Sequence, residues 1–203
     1  MSTEPTPEFL AAFAATSDDG SLDRLRARLA DQAQQTGILD VAYRTVDTPV
    51  GELLLAATER GLVRVAYSVE DHDQVLEAIA GQVSPRVMRA PARLDDVARE
   101  IDEYFTGARH TFDLRLDMQL AHGFRRTVLD HLREIGYGST ASYGAVAVAS
   151  GNPAAVRAVG SACARNPLPV VVPCHRVVRS DGTIGQYVGG TEAKRILLDL
   201  EAA

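Results

Sequence analysis

Apolar residues between positions 38 and 67 alternate with polar or small ones in three short runs. The alternation begins near Ile38, and the turn-forming segments Thr48–Gly51 and Arg60-Gly61 interrupt it. A period of two is typical of a strand with one buried face, and Gly and Pro mark the turns between strands. The pattern therefore predicts a three-stranded antiparallel meander.

Beyond these strands the apolar spacing lengthens to three or four residues, which is typical of helices. One short helix is predicted around Val75–Ile79. A longer helix is predicted to begin at Pro91 and to end at Gly107, because proline is favoured at helix starts and glycine just past helix ends.

The pattern divides the chain into three predicted parts. Residues 1–36 form an N-terminal extension, helical or mobile, with apolar clusters around Phe9 and Leu25. Residues 37–117 form an α+β domain that contains the antiparallel sheet. Residues 118–203 form a mostly helical domain, so the predicted fold class is α+β.

The helical part contains a pair of helices joined by a glycine-containing turn. Ser142 is placed to cap the first helix, and Asn152 with Pro153 is predicted to cap and begin the second. The second helix runs to about Ala164 and closes at Asn166-Pro167. This is the outline of a helix-turn-helix, although many helical hairpins share it.

The second helix of this pair carries small side chains where a DNA-reading helix usually carries several polar ones. Its one long central side chain is Arg157. A face of small residues lets the backbone approach either a neighbouring helix or a shallow DNA groove, and the sequence leaves both open. The small residues are Ala154, Ala155, Ala158, Gly160, Ser161 and Ala162.

Composition narrows the classes of function. The chain is 46% apolar and 24% charged, an ordinary globular balance. No apolar run reaches 18 residues, and the N-terminus lacks the basic and then apolar order of a secretory signal, so no membrane span or export is predicted. Two cysteines cannot form a disulfide framework or a zinc site by themselves. We expect a reducing, cytoplasmic compartment.

Charge is distributed unevenly along the chain. The net charge of −6 argues weakly against a nucleic-acid partner. However, residues 118–203 hold 9 Lys/Arg against 6 Asp/Glu, whereas the first 117 residues hold 12 against 21. The C-terminal part is thus +3 and the remainder −9. This asymmetry favours a C-terminal part that tolerates a polyanion, although ordinary surface variation would look the same.

A reactive triplet, Cys174-His175-Arg176, lies between two valine runs. The first run, Val170–Val172, is predicted to be a short buried strand. The neighbouring His and Arg would favour the thiolate and so activate a cysteine nucleophile. Adjacent side chains on a strand point to opposite faces, so Cys174 and His175 can cooperate only if the chain turns or a water bridges them. Pro173 favours such a departure.

Four glycines between Gly182 and Gly190 predict a tight loop, followed by a helix that Thr191 opens. Lys and Ser/Thr do not stand at the spacing of a phosphate loop. No cofactor-binding motif is visible, so we expect no cofactor and no metal.

Taken together, these motifs resemble the O6-alkylguanine-DNA alkyltransferases, also called methylated-DNA–protein-cysteine methyltransferases. The resemblance covers about residues 38–203 and is strongest from Tyr137 on. The segments that carry it are Ser142-Tyr143-Gly144, Arg157-Ala-Val-Gly160, Asn166-Pro167, Pro173-Cys174-His175-Arg176, Gly185-x-Tyr187-x-Gly189-Gly190 and the terminal Leu-Leu-x-Leu-Glu201.

The resemblance implies direct reversal of alkylation damage in DNA. An alkyl group from O6-alkylguanine, or from O4-alkylthymine, would pass irreversibly to Cys174, once per protein molecule. His175 would act as a base through a water, and Glu201 would orient His175. Tyr143 would donate to the guanine ring or rotate the phosphate as the base leaves the stack. Asn166 would hold the turn that leads to the active-site strand.

The same resemblance implies a monomer that binds double-stranded DNA, with no membrane association. The damaged base must leave the duplex to be reached, and Arg157 would fill its place from the minor groove. Ala155, Ala158, Gly160 and Ser161 would pack close to that groove. The loop from Ser180 would line the alkyl pocket, with Tyr187 as a wall. The pocket residues implied are Val177, Ser180, Tyr187, Val188 and Gly189.

The chain departs from the family pattern at several positions. Phe124-Arg125 stands where Phe-Gln is usual, no Trp is present, and Ala164-Arg165 replaces a common Arg-Gly pair. Gln186 and Val188 replace Asn or Gly and a small polar residue, which neutral drift or an altered pocket would explain.

Two other classes of protein remain open from the residues. One is a catalytically silent binder of DNA lesions, against which the intact Cys174, His175 and Glu201 argue. The other is a cysteine hydrolase of another fold, which would need an oxyanion hole and would turn over repeatedly.

Overall fold

The computed structural model describes residues 19–202 of the chain, and a division between two compact units falls between Leu39 and Asp40. The first unit contains helix α1 (Asp19–Gln35). It covers the helical segment predicted around Leu25. The cluster predicted around Phe9 lies outside the described residues. No helix in the described range is long and apolar enough to cross a membrane.

The second unit begins with the predicted meander, β1 (Val41–Val46), β2 (Leu53–Thr58) and β3 (Gly61–Tyr67). The three strands pair antiparallel in sequence, as predicted. A fourth strand, β4 (Val87–Arg89), pairs parallel with β1, so the sheet is mixed and its order is β3-β2-β1-β4. Three residues are too few to show an alternating pattern, so the sequence did not predict β4.

Two helices cover this sheet region. Helix α2 (His72–Gln82) is capped by the Asp71 carboxylate and contributes Val75 and Ile79 to the sheet core. A short 3-10 helix at Pro91–Leu94 leads into α3 (Asp95–Phe105). The other buried residues of this core cluster come from the three strands, namely Val41, Leu54, Ala56, Val63 and Ala66.

The C-terminal part is helical, with α4 (Gly123–Leu132), α5 (Tyr143–Ala149), α6 (Val156–Ala164) and α7 (Gly190–Glu201). Helices α5 and α6 form the predicted helix-turn-helix. The predicted Ser142 cap is confirmed, because its hydroxyl accepts the Ala145 N–H.

The predicted start of the second helix is wrong. Asn152 does not cap α6, which begins at Val156 after Ala155. The Asn152 N–H is already bonded to the Ala147 carbonyl at the end of α5, and the Ala155 N–H bonds to the Asn152 carbonyl. These bonds make residues 152–155 a turn between the two helices.

The predicted strand at Val170–Val172 is also wrong, although all three valines are buried. Val170 has a φ of 70°, and the Val172 N–H donates to the Leu168 carbonyl, so the segment is a tight turn. A short apolar run does not by itself distinguish a strand from another buried segment. Cys174–Arg176 then forms a 3-10 turn, and β6 (Val177–Val178) pairs parallel with β5 (Ala141–Ser142).

Candidate active site

Cys174 is the first residue of the 3-10 turn, and only 1% of its surface is exposed. The buried Asn166 amide Nδ2 donates to Cys174 Sγ at 3.1 Å and to the Val172 carbonyl at 2.8 Å. Its Oδ1 accepts the Leu168 N–H at 3.0 Å. Asn166 therefore fixes both ends of the valine turn and contacts the sulfur directly.

His175 and Glu201 meet in the interior, 26 residues apart in sequence. The distance from His175 Nε2 to Glu201 Oε1 is 2.9 Å, and both side chains are buried. The other ring nitrogen, Nδ1, is buried without a hydrogen-bond partner among residues 19–202. The Glu201 carboxylate can only accept a hydrogen bond, so the His175 nitrogen that faces it must carry a proton. This geometry assigns His175 the neutral tautomer with the proton on Nε2 and the lone pair on Nδ1.

Two residues with no such predicted role, Arg176 and Tyr104, also hold the Glu201 carboxylate. Arg176 donates through Nε to Oε2 at 2.8 Å and through Nη2 to Oε1 at 2.9 Å. The Tyr104 hydroxyl, from α3, donates to Oε1 at 2.7 Å. Arg176 was visible as a charge beside the cysteine. The helical spacing from Val97 and Ile101 places Tyr104 on the buried face of α3, but no motif linked it to Glu201, 97 residues later.

Burial, not the neighbouring charges, dominates the acidity of the thiol. It raises the pKa of Cys174 to about 11, against the lowering by the Asn166 amide and the Lys194 charge. The expectation that His175 and Arg176 favour the thiolate is therefore wrong for the resting protein. The Arg176 charge is paired with Glu201, and burial lowers the pKa of His175. The thiol needs a base to become a nucleophile at neutral pH.

The Glu201 carboxylate stays ionised. Burial raises its pKa, but the hydrogen bonds from His175, Arg176 and Tyr104 outweigh burial and lower it to about 2. A buried anion with this many donors is a fixed negative charge beside the imidazole. It holds the ring and opposes the effect of burial on the His175 pKa.

Lys194 is a further residue near the thiol that the sequence did not reveal. It is fully buried on α7, its Nζ donates to the Val177 carbonyl, and burial lowers its pKa. Its charge lowers the pKa of Cys174. It follows the apolar Ala193 in a helix predicted to bury one face, and no motif distinguished it from a surface lysine.

The glycine loop carries Tyr187 and packs against Tyr143, the first residue of α5. Tyr187 lies edge-on to His175 with ring centroids 6.4 Å apart, and its hydroxyl is 2.9 Å from that of Tyr67 on β3. A Cβ on Gly189 would lie 2.6 Å from the Tyr67 ring, and one on Gly185 would lie 2.7 Å from the Tyr143 hydroxyl. The loop therefore packs closely against Tyr67 and Tyr143.

The other predicted pocket residues are less alike. Val177 is buried, Val188 is half-buried and Ser180 is exposed. Val177 is joined to the site through its carbonyl, which Lys194 binds. Ser180 stands on the outer part of the loop, beside Arg179.

The small residues of α6 divide between two faces. Arg157 and Ala158 are exposed, and Ala155, Gly160 and Ser161 are half-buried. Gly160 lies beside the Tyr143 ring, where a Cβ would be 4.0 Å from Cε1. The Ala162 side of the helix is buried together with Val159 and Cys163. One face of the helix therefore packs inside the protein, and the approach of the exposed face to a DNA groove stays a prediction.

Two family models match the chain. One is described as 6-O-methylguanine DNA methyltransferase, ribonuclease-like domain, and matches residues 41–118. The other is the DNA binding domain of the same methyltransferase and matches residues 123–203.

Relatives match over nearly their whole length. The constitutive methylated-DNA–protein-cysteine methyltransferase of Bacillus subtilis is 39% identical over 160 residues, covering 78% of this chain and 94% of the relative. The Mycobacterium tuberculosis methylated-DNA–protein-cysteine methyltransferase is 37% identical over 161 residues, covering 79% and 92%.

Solved structures agree. The O6-methylguanine methyltransferase of M. tuberculosis superposes with a TM-score of 0.71 at 34% identity, covering 80% of this chain and 93% of that one. The M. tuberculosis OGT in complex with DNA gives 0.69 at 35% identity, covering 79% and 92%.

The fold and these matches define a DNA-binding protein that repairs DNA by alkyl transfer. The chain belongs to the 6-O-methylguanine DNA methyltransferase family, the methylated-DNA–protein-cysteine methyltransferases. This confirms the resemblance and the α+β class expected from the sequence.

Proposed function

We propose that this protein repairs O6-alkylguanine, and O4-alkylthymine as a second substrate, by moving the alkyl group irreversibly to Cys174. The observation that carries the proposal is the buried Cys174 thiol held by Asn166, next in sequence to an imidazole whose partner is Glu201. The Sγ–carbon bond forms as the O6–carbon bond breaks. The bonding electrons of the broken bond stay with the base oxygen.

His175 is the base in this proposal, acting through a water. The thiol pKa of about 11 means that a proton must be removed before attack, and Nδ1 of the buried ring has no hydrogen-bond partner within residues 19–202, so its lone pair can accept a proton. The Glu201 charge stabilises the imidazolium that forms. Tyr143, beside the glycine loop, supplies a proton to the leaving guanine ring. The C–S bond of a thioether is not readily broken, so each molecule acts once.

In this proposal the protein contacts the minor groove of double-stranded DNA, and it acts as a monomer. The exposed face of α6 presents Arg157 among small side chains, which allows close approach to a shallow groove. The base must leave the stack to reach a thiol that is 1% exposed. Both cysteines are free thiols, which fits a reducing cytoplasm.

Intact-mass spectrometry after incubation with excess O6-methylguanine duplex DNA tests the proposal. The expected result is a gain of one methylene mass per protein and a product yield that stops at one equivalent. Repeated turnover, or an unmodified protein alongside repaired DNA, would contradict it.

Cys163→Ala is the matched control for Cys174→Ala. Both cysteines are buried, and burial raises the pKa of both thiols, but within residues 19–202 no hydrogen bond joins the Cys163 side chain to His175 or Glu201. Cys174→Ala should abolish transfer and keep DNA binding, whereas Cys163→Ala should keep both. The same mass gain and single-equivalent yield with O4-methylthymine DNA would show that O4-alkylthymine is a second substrate.

A further inference from the structure

One contact at the site comes from the N-terminal half of the fold, from Tyr104. Tyr104 lies on α3, within the segment matched by the ribonuclease-like domain model, and its exposed fraction is 0%. Its hydroxyl is 2.7 Å from Glu201 Oε1 and 3.5 Å from His175 Nε2. The residues assigned to the reaction so far all lie between positions 143 and 201.

The Tyr104 ring is fixed by other aromatic rings. It packs at 5.3 Å from the centroid of Phe112 and lies edge-on to Tyr137 at 6.2 Å. Packing on several sides leaves the hydroxyl little freedom to find another acceptor. The hydrogen bond to Glu201 is thus built into the fold.

The hydroxyl keeps its proton and donates a hydrogen bond to Glu201. Burial and the adjacent Glu201 charge raise the pKa of Tyr104 far above its ordinary value, so the proton stays on the oxygen. Glu201 Oε1 accepts from Tyr104, from His175 Nε2 and from Arg176 Nη2. The negative charge of this one oxygen is shared among three donors.

We propose that Tyr104 is a positioning residue for alkyl transfer, and that it sets how much of the Glu201 charge reaches His175. This inference rests on the proposed role of His175 as the base. A hydrogen bond from Tyr104 withdraws charge from Oε1 and keeps the imidazole a weaker base. It also fixes the carboxylate that fixes the ring. The N-terminal half of the fold thereby completes the site.

The other ionisable groups around the imidazole are the same in the wild type and in a Tyr104→Phe variant. The C-terminal helix provides Glu201 and Lys194, and the 3-10 turn provides Cys174 and Arg176. The glycine loop provides Tyr187, and the segment before β5 provides Tyr137. Replacing Tyr104 by Phe removes one hydroxyl and changes none of these groups.

The test is Tyr104→Phe, which keeps the ring and removes the donor. The His175 ring pKa is measured by nitrogen-15 NMR titration in a Cys174→Ala background, and the transfer rate with free O6-benzylguanine is measured against pH. We expect the His175 pKa and the acidic limb of the rate profile to move upward together, by about half a unit to one unit. The plateau rate should fall several-fold because Glu201 loses a contact.

Tyr43→Phe is the matched control. It removes a hydroxyl from a tyrosine that packs against the sheet core and is not among the donors to Glu201. Its His175 titration and rate profile should equal those of the wild type. A folded Tyr104→Phe protein with an unchanged His175 pKa and rate profile would overturn the inference and leave Tyr104 a packing residue.

Two further measurements keep the outcome decidable. In a Glu201→Gln background, Tyr104→Phe should cause no additional loss of rate, and an additional loss would contradict a path through Glu201. In wild-type protein, a slowly exchanging Tyr104 hydroxyl proton should move with the His175 titration, and its absence would contradict the contact. The NMR arms do not require transfer, so failure of the proposed function and failure of this inference give different results.

Discussion

At the level of single residues, the proposed role of Arg157 can be tested by one substitution. It stands on the open face of α6. If it fills the space left by the extruded nucleotide, its loss penalises flipping, which costs a few kcal/mol for a paired base. Arg157→Ala should slow repair of duplex DNA at saturation by about tenfold or more, at roughly 1.4 kcal/mol per decade. Reaction with free O6-benzylguanine should be nearly unchanged.

Arg195→Ala is the control for the lost charge, since Arg195 is also an exposed arginine of the C-terminal part and pairs with Glu192 and Asp199 on its own helix. It should leave both substrates unaffected. Equal losses with duplex and free base in Arg157→Ala, together with a lower melting temperature, would make Arg157 a structural tie. Weaker DNA binding with an unchanged saturated rate would make it a phosphate contact.

At the scale of elements, the glycine loop depends on close contact with β3. Gly189 has an ordinary φ of −84°, so its substitution does not strain the backbone. A Cβ there would nonetheless lie within 3 Å of three Tyr67 ring atoms, in a ring that is itself buried. Overpacking of this kind costs about 1–3 kcal/mol. Gly189→Ala should displace the loop and slow transfer to both duplex and free base by about tenfold.

Gly81→Ala makes the same chemical change in open space. Gly81 lies within α2 and has nothing within 4 Å of an added Cβ. Alanine should raise the melting temperature slightly there, because it favours the helix over glycine. Transfer should not change. Full activity in Gly189→Ala would show that the loop position is irrelevant to the pocket.

At the scale of the whole molecule, the acidic N-terminal extension is expected to be dispensable. The family models begin at residue 41, and the residues of the candidate site lie in the unit that starts at Asp40. Residues 1–36 carry six Asp/Glu against three Arg, so their removal makes the protein less negative. Deleting them should leave transfer intact and leave DNA affinity unchanged or improved at low salt.

Salt supplies the control for this deletion. The difference in affinity between the full chain and the truncated chain should shrink as the salt concentration rises, because screening weakens long-range repulsion. A large loss of transfer in a well-folded truncated protein would show that the extension belongs to the site. A gain in affinity that persists at high salt would contradict an electrostatic cause.

Much of the fold and the family of this protein can be predicted from its amino-acid sequence. The alternation in residues 38–67 specified the meander, because a half-buried strand has a period of two. The Ser142 cap and the outline of α5 and α6 followed from local capping chemistry. The Pro173–Arg176 segment, with its flanks, led to the family that the comparisons confirm. The predicted domain limits and the roles of individual site residues stay predictions.

The protonation states and hydrogen bonds of the site, in contrast, follow from tertiary packing. Whether Cys174 is a thiol or a thiolate depends on its burial, and burial is a property of everything packed around it. Val170–Val172 turns because Asn166 bonds to both ends of the turn, a choice that three valines cannot reveal. Tyr104 reaches Glu201 across 97 residues. Sequence patterns report local periodicity, whereas these contacts arise from the packing of segments that are distant along the chain.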